Sequence, residues 1–114
     1  MPVVKKESIK LEPVASDNVK YVTKANVIGP NEGWTDHTMR LFRIAASGHT
    51  PSHRHDWEHV NYIVKGKGIL TLDGVKHTVE ADDYAYVPAN ADHQFENPYD
   101  EDFEFLCIVP QRGA

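Results

Sequence analysis

The run Pro51-Ser52-His53-Arg54-His55-Asp56-Trp57-Glu58-His59-Val60-Asn61-Tyr62-Ile63-Val64-Lys65 places three histidines before and at the start of a β-prone segment. In extended backbone, residues two apart point to the same side. His53 and His55 therefore share a face, and His59 enters the same space as the strand over 59–65 begins. A fourth histidine, His93, opens a separate short strand, His93-Gln94-Phe95-Glu96-Asn97, which must fold back to meet the other three. Imidazole is the commonest protein ligand for divalent transition metals near neutral pH. Taken together, the spacings predict one metal pocket at the bottom of a β-barrel.

Working outward, almost every segment reads as a short strand and a turn. Upstream, Thr38 to Ala45 alternates, with Arg40, Phe42 and Ile44 on one face and Met39, Leu41 and Arg43 on the other. That segment alone does not decide which face is inside. Residues 19–24 are β-prone, residues 25–33 read as a loop, and 3–11 is a candidate extra edge strand. Gly48 through Pro51 breaks the pattern before the histidines. Downstream, Gly66-Lys67-Gly68 is a tight connection into Ile69–Leu72, and Asp73-Gly74 is the strongest hairpin signal in the chain, followed by Val75–Val79. Tyr84–Val87 is stopped by Pro88, and the apolar Phe103–Val109 by Pro110. No stretch offers a helix of three turns. Many short strands at regular turn spacing predict an all-β sandwich or barrel, and closure removes exposed edges from so small a sheet.

At 114 residues the chain is expected to form one domain over 1–114, with 1–24 as an N-terminal arm and edge strand and 39–109 as the barrel. Its 40% hydrophobic and 25% charged residues are those of a globular protein rather than a disordered one. No apolar run reaches bilayer-spanning length, and the first residues lack a signal-peptide core, so no membrane partner and a cytoplasmic location are expected. A net charge of -5 argues against a nucleic-acid partner, which needs concentrated positive surface. The single cysteine, Cys107, excludes an intrachain disulfide and a multi-cysteine zinc site. It reads either as an inert buried thiol or as part of a pocket wall.

In these motifs the chain resembles the small single-domain members of the cupin superfamily. The first motif of that family is a glycine, His-x-His, an acidic ligand, and a glycine seven residues after that ligand. Here these are Gly48, His53, His55 and Gly66, with His59 standing where the glutamate is usual. The second motif is carried by Pro88, His93 and Asn97, with Asp82 and Asn90 where glycines are usual, two residue types that tolerate turn geometry. The resemblance covers Gly48 to Asn97. It implies a double-stranded β-helix, or jelly-roll barrel of the RmlC-like cupin kind, commonly dimeric, here a homodimer. It also implies one divalent transition metal per chain: manganese, iron, nickel, copper or zinc, with manganese or iron slightly favoured.

Two arrangements of the ligands stay open. Either His53, His55, His59 and His93 form an all-imidazole set, or Glu58 swings in through a bulge and His59 stands behind the ligands. Glu58 is otherwise expected to pair with Arg54 or to hold a ligand's second ring nitrogen, and it is the candidate general base. Parity places Asn61, Ile63, Phe95, Phe105 and Cys107 on the pocket wall, with Arg40 or Phe42 opposite. Trp57 reads either as the rim or as structural packing, and Tyr86 either as a strand filler or, if it faces the cavity, as a candidate proton donor. His37, His49 and His77 read as scattered surface histidines. A mostly apolar chamber of this kind suits a small-molecule ligand or substrate. The function expected is a metal-dependent enzyme acting on a small oxygenated molecule, by dioxygenation or another oxidation, or by isomerase or lyase chemistry. A non-catalytic sensing or binding module and a metal-clamped structural barrel are the alternatives.

Overall fold

The computed structural model describes residues 2–114. It contains nine strands: β1 (Glu12–Pro13), β2 (Lys20–Ile28), β3 (His37–His49), β4 (His59–Lys65), β5 (Lys67–Leu72), β6 (Val75–Glu80), β7 (Tyr84–Val87), β8 (His93–Glu96) and β9 (Phe103–Pro110). Among the described residues, helix occurs only as three-residue 3₁₀ turns at Lys6–Ser8, Pro30–Glu32 and Gln111–Gly113. Among these residues, no helix is long and apolar enough to cross a membrane.

All pairings are antiparallel. The sheet runs β6-β5-β8-β3-β9-β4-β7, with β2 also on β3 and β1 on β2. The long β3 joins the two halves of the roll. Residues His37 to Ile44 pair with β9, while His49 at its far end pairs with Glu96 of β8. An isolated bridge between His53 and His93 draws the histidine loop onto β8. The product is the expected jelly-roll β-barrel.

The inward faces follow strand parity. Ile44 of β3, Ile63 of β4, Phe103, Phe105 and Val109 of β9, and Val87 of β7 are fully or almost fully buried. Phe105 stacks on Phe95 at 4.1 Å and on Phe42 at 5.3 Å between ring centroids, so an aromatic column separates the packed end of the barrel from its open end. Burying a side chain of this size contributes about 1.5–3 kcal/mol relative to leaving it in water. Gly66, at a φ of 77°, turns β4 into β5 against the Asp102 carbonyl. Gly68 is needed for a different reason: a Cβ there would run into the Phe103 ring.

Several local expectations are corrected. The predicted loop over 25–33 is strand as far as Ile28, because Ala25 to Ile28 pairs with Leu41 to Met39. Strand β3 continues through Gly48 to His49, kinked by Ser47 at a φ of 70°. Residues 3–11 form no edge strand. They contain the turn Lys6–Ser8, and the edge pairing is made by Glu12 and Pro13. Asp82 and Asn90 do adopt left-handed backbone, at φ of 75° and 68°, which is the conformation a glycine would supply.

Candidate metal centre

The open end of the barrel is a cavity of about 290 Å³. Three elements deliver four histidines to it: the loop after β3 brings His53 and His55, β4 begins with His59, and β8 begins with His93. One ring nitrogen each from His53, His55 and His93 lies within 4.8 Å of the others. His59 adjoins this trio, with its Nε2 3.4 Å from His93 Nε2 and its ring centroid 5.6 Å from that of His55. His59 and His93 are buried, His55 is half-buried and His53 is exposed at the mouth.

Hydrogen bonds decide which nitrogen of three of these rings is free. His55 Nδ1 lies 2.9 Å from the Trp57 carbonyl, and His93 Nδ1 lies 3.0 Å from the Ala91 carbonyl. A carbonyl only accepts, so both Nδ1 atoms carry the proton. His59 Nδ1 lies 2.7 Å from Asn61 Oδ1. The Asn61 amide nitrogen donates to the Leu106 carbonyl at 3.1 Å, which fixes the amide with its oxygen toward His59. His55, His59 and His93 therefore all present an unprotonated Nε2.

Electrostatics favour the neutral form of His53, His55 and His59. Burial pushes His59 down to about 3, with the charges of the neighbouring histidines and Arg40 acting in the same sense. Burial also lowers His53 and His55 below the usual imidazole value, helped by His93 and Arg40. Neutral imidazoles are the form that binds a metal.

The donor set fits a transition metal. Two bare Nε2 lone pairs facing each other at 3.4 Å repel unless a cation lies between their directions. Nitrogens ~2.1 Å from one shared ion stand about 3.0–3.4 Å apart at octahedral or tetrahedral angles. Nitrogen ligands without thiolate suit manganese, iron, nickel, copper or zinc better than calcium or magnesium.

Residues 40–109 match the family model described as Cupin domain. The chain belongs to the cupin family. Among relatives of known name, it is 34% identical over 71 residues to 1-methylthio-D-xylulose 5-phosphate methylsulfurylase of Rhodospirillum rubrum, a match covering 62% of this chain and 46% of that protein. The chain thus spans somewhat under half the length of that relative. An uncharacterized protein of Methanocaldococcus jannaschii is 26% identical over 110 residues, covering 94% of this cupin and 86% of the other. Among solved structures, the polyketide cyclase RemF from Streptomyces resistomycificus superposes with a TM-score of 0.90 at 27% identity, covering 96% of this chain and 79% of that one.

Of the wall residues expected from the sequence, Arg40, Phe42, Phe95, Phe105 and Cys107 line the cavity of this cupin, as does Trp57 from the histidine loop. Trp57 forms the rim. Its ring stacks on His55 at 4.2 Å and 3°, and Gly113 of the C-terminal turn closes over it. Asn61 stands behind His59 and orients it, away from the wall. Ile63 has the right parity but the wrong depth. Four residues down β4, it packs in the core beneath the site. Tyr86 is corrected outright, since it is 58% exposed on the outer face opposite Val60, while its neighbour Val87 is the buried residue.

Glu58 is half-buried and does not line the cavity. Arg54 pairs with Asp92 at 2.9 and 3.0 Å instead, and the Nδ1 atoms of His55, His59 and His93 are held by Trp57, Asn61 and Ala91. Glu58 precedes β4, which begins at His59, and takes no part in its pairing. Sequence reasoning missed the wall supplied by the N-terminal arm, Val14, Ser16, Val19, Val22 and Lys24. Strand parity, which puts Val22 and Lys24 of β2 on one face, carried that signal.

Proposed function

We propose that this cupin is a metal-dependent enzyme acting on a small oxygenated organic molecule, with His53, His55, His59 and His93 as ligands of one divalent transition metal. The observation that carries this reading is the pair of bare Nε2 atoms of His59 and His93 at 3.4 Å, each ring locked by its Nδ1 hydrogen bond. Such an ion supplies Lewis acidity, or redox chemistry where the metal is manganese, iron, nickel or copper, to an oxygen of the bound molecule.

The chain's own residues do the rest. The rings of Phe42, Phe95 and Phe105 form an apolar wall that excludes water and limits ligand size. Trp57 and the C-terminal turn narrow the mouth, held by Arg112, which bonds Asp56 at 2.7 Å and lies over the indole at 5.7 Å. The names of the two similar proteins, a sugar-phosphate methylsulfurylase and a polyketide cyclase, support an enzyme over a sensor, and an oxygen-rich substrate. The mouth of the cavity disfavours a purely structural clamp, because the exposed His53 leaves the site open to exchange.

The test is elemental analysis of protein stripped by chelator and reloaded, followed by a screen of oxidation, isomerisation and lyase substrates. About one ion per chain, lost in His93→Ala, together with turnover that tracks metal content, is expected. Failure of the wild-type protein to retain any of the five metals rejects the metal centre. Full occupancy with tight, unaltered binding of a metabolite favours the sensing module instead.

The homodimer belongs to the same proposal. Val60, Tyr84 and Tyr86 form an exposed apolar group on the outer face of β4 and β7 that association would cover. Sedimentation equilibrium should give the mass of two chains, and a single-chain mass rejects it.

A further inference from the structure

The wall of the histidine cavity carries uncompensated positive charge. Arg40 of β3 and Lys24 of β2 both line the cavity, which contains no aspartate or glutamate among its lining residues. The register sets them on one inward face: Lys24 stands opposite Phe42, two residues along from Arg40. Neither forms an ion pair among the described residues. Glu12 is the cross-strand neighbour of Lys24, but it is exposed and makes no bond to it.

Arg40 is poorly satisfied. One terminal nitrogen donates to Cys107 Sγ at 3.2 Å, a weak acceptor, and the guanidinium lies over the Phe42 ring at 5.1 Å. Its Nε is buried with no hydrogen-bond partner among the described residues. A guanidinium stays protonated at any physiological pH, so this charge cannot be relieved by losing a proton. Burial and the nearby Arg40 lower Lys24, consistent with two cations sharing one poorly solvated space.

We infer that Arg40, assisted by Lys24, is an anion-binding subsite, and that the substrate is a small molecule carrying a carboxylate or phosphate at the end remote from the metal. This rests on the cavity being the substrate site proposed above, and it names the chemical class that site accepts. A planar, two-oxygen anion matches the donors of a guanidinium group. The anion would be held by the barrel wall, and an oxygen elsewhere on the same molecule would be presented to the histidine cluster. The apolar rings of Phe42, Phe95 and Phe105 would pack the carbon frame between the two ends.

The test measures binding of benzoate, phenyl phosphate and the neutral isostere benzamide by calorimetry. It uses full-length protein stripped of metal and the same protein reloaded with zinc. Benzoate or phenyl phosphate is expected to bind at least about tenfold more tightly than benzamide in both forms, and the tighter of the two assigns the anion as carboxylate or phosphate. Arg40→Gln should erase that preference with zinc content unchanged, Lys24→Met should weaken it, and Arg40→Lys should retain part of it. Equal binding of benzamide and both anions overturns the inference. So does an anion preference seen only in zinc-loaded protein and unaffected by Arg40→Gln, an outcome that leaves the metal centre standing. Loss of zinc binding with the anion preference intact in stripped protein rejects the metal centre and leaves the subsite standing.

Discussion

Asn61 bonds at once to the Leu106 carbonyl and to His59 Nδ1, at 3.1 and 2.7 Å, so one buried amide ties the last strand of the barrel to a candidate metal ligand. Strand β4 is paired on β9, with Asn61 opposite Cys107, and this pairing brings the amide within reach of the Leu106 carbonyl. The orientation of the His59 ring is therefore a consequence of sheet register.

Replacing Asn61 by alanine should release the His59 ring and leave the Leu106 carbonyl without that donor. Loss of a buried partner of this kind costs about 1–3 kcal/mol of stability. Metal affinity should fall about 10- to 100-fold, the usual effect of removing a group that orients a ligand. Chelator competition reads the affinity and urea unfolding reads the stability. An unchanged affinity would mean that the His59 ring needs no orienting group.

Acid should destabilise the metal-free protein through His59. The ring is neutral in the fold, with its titration lowered by burial to about 3, while in the unfolded chain it titrates near the ordinary imidazole value of 6.5. Between those values the unfolded chain binds the extra proton, so stability rises with pH across this window and is flat above it for this group. The slope for one proton is at most about 1.4 kcal/mol per pH unit. Thermal unfolding of stripped protein from pH 7.5 to pH 4 should show the decline, and His59→Leu should flatten it. A decline of the same slope in His59→Leu would move the cause to other groups.

Substituting alanine for Gly68 should destabilise the barrel without touching the histidines. The added Cβ meets the ring of Phe103, a fully buried residue that has little room to move. Overpacking of this sort costs about 1–3 kcal/mol. Urea denaturation should show a lower midpoint at an unchanged slope, and metal stoichiometry should stay at the wild-type value. A wild-type midpoint would mean that the Phe103 ring yields more readily than its packing implies.

The strands were legible in the sequence because their signals are local. Alternation in Thr38–Ala45 and Phe103–Val109 marks the faces, Asp73-Gly74 marks a hairpin, and Pro88 marks a stop, each within a few residues. The jelly roll and the candidate histidines were legible through the motifs that run from Gly48 to Asn97. Reading failed where the outcome depended on depth rather than direction. Ile63 and Tyr86 show the two ways this happens. Parity names a side of a strand, but not how far along it the cavity ends, nor which side of a short edge strand such as β7 meets the core.

The chain's sequence by itself determined that strands would form, where they would turn, and which imidazoles were available to meet. Only the tertiary structure decided that His59 and His93 meet through their bare nitrogens, that Arg54 takes Asp92 and not Glu58, and that Lys24 joins Arg40 in the wall of the histidine cavity. The physical reason is that these contacts link residues far apart in the chain. Their geometry is set by strand register and by backbone carbonyls, and neither is encoded in the residue types themselves.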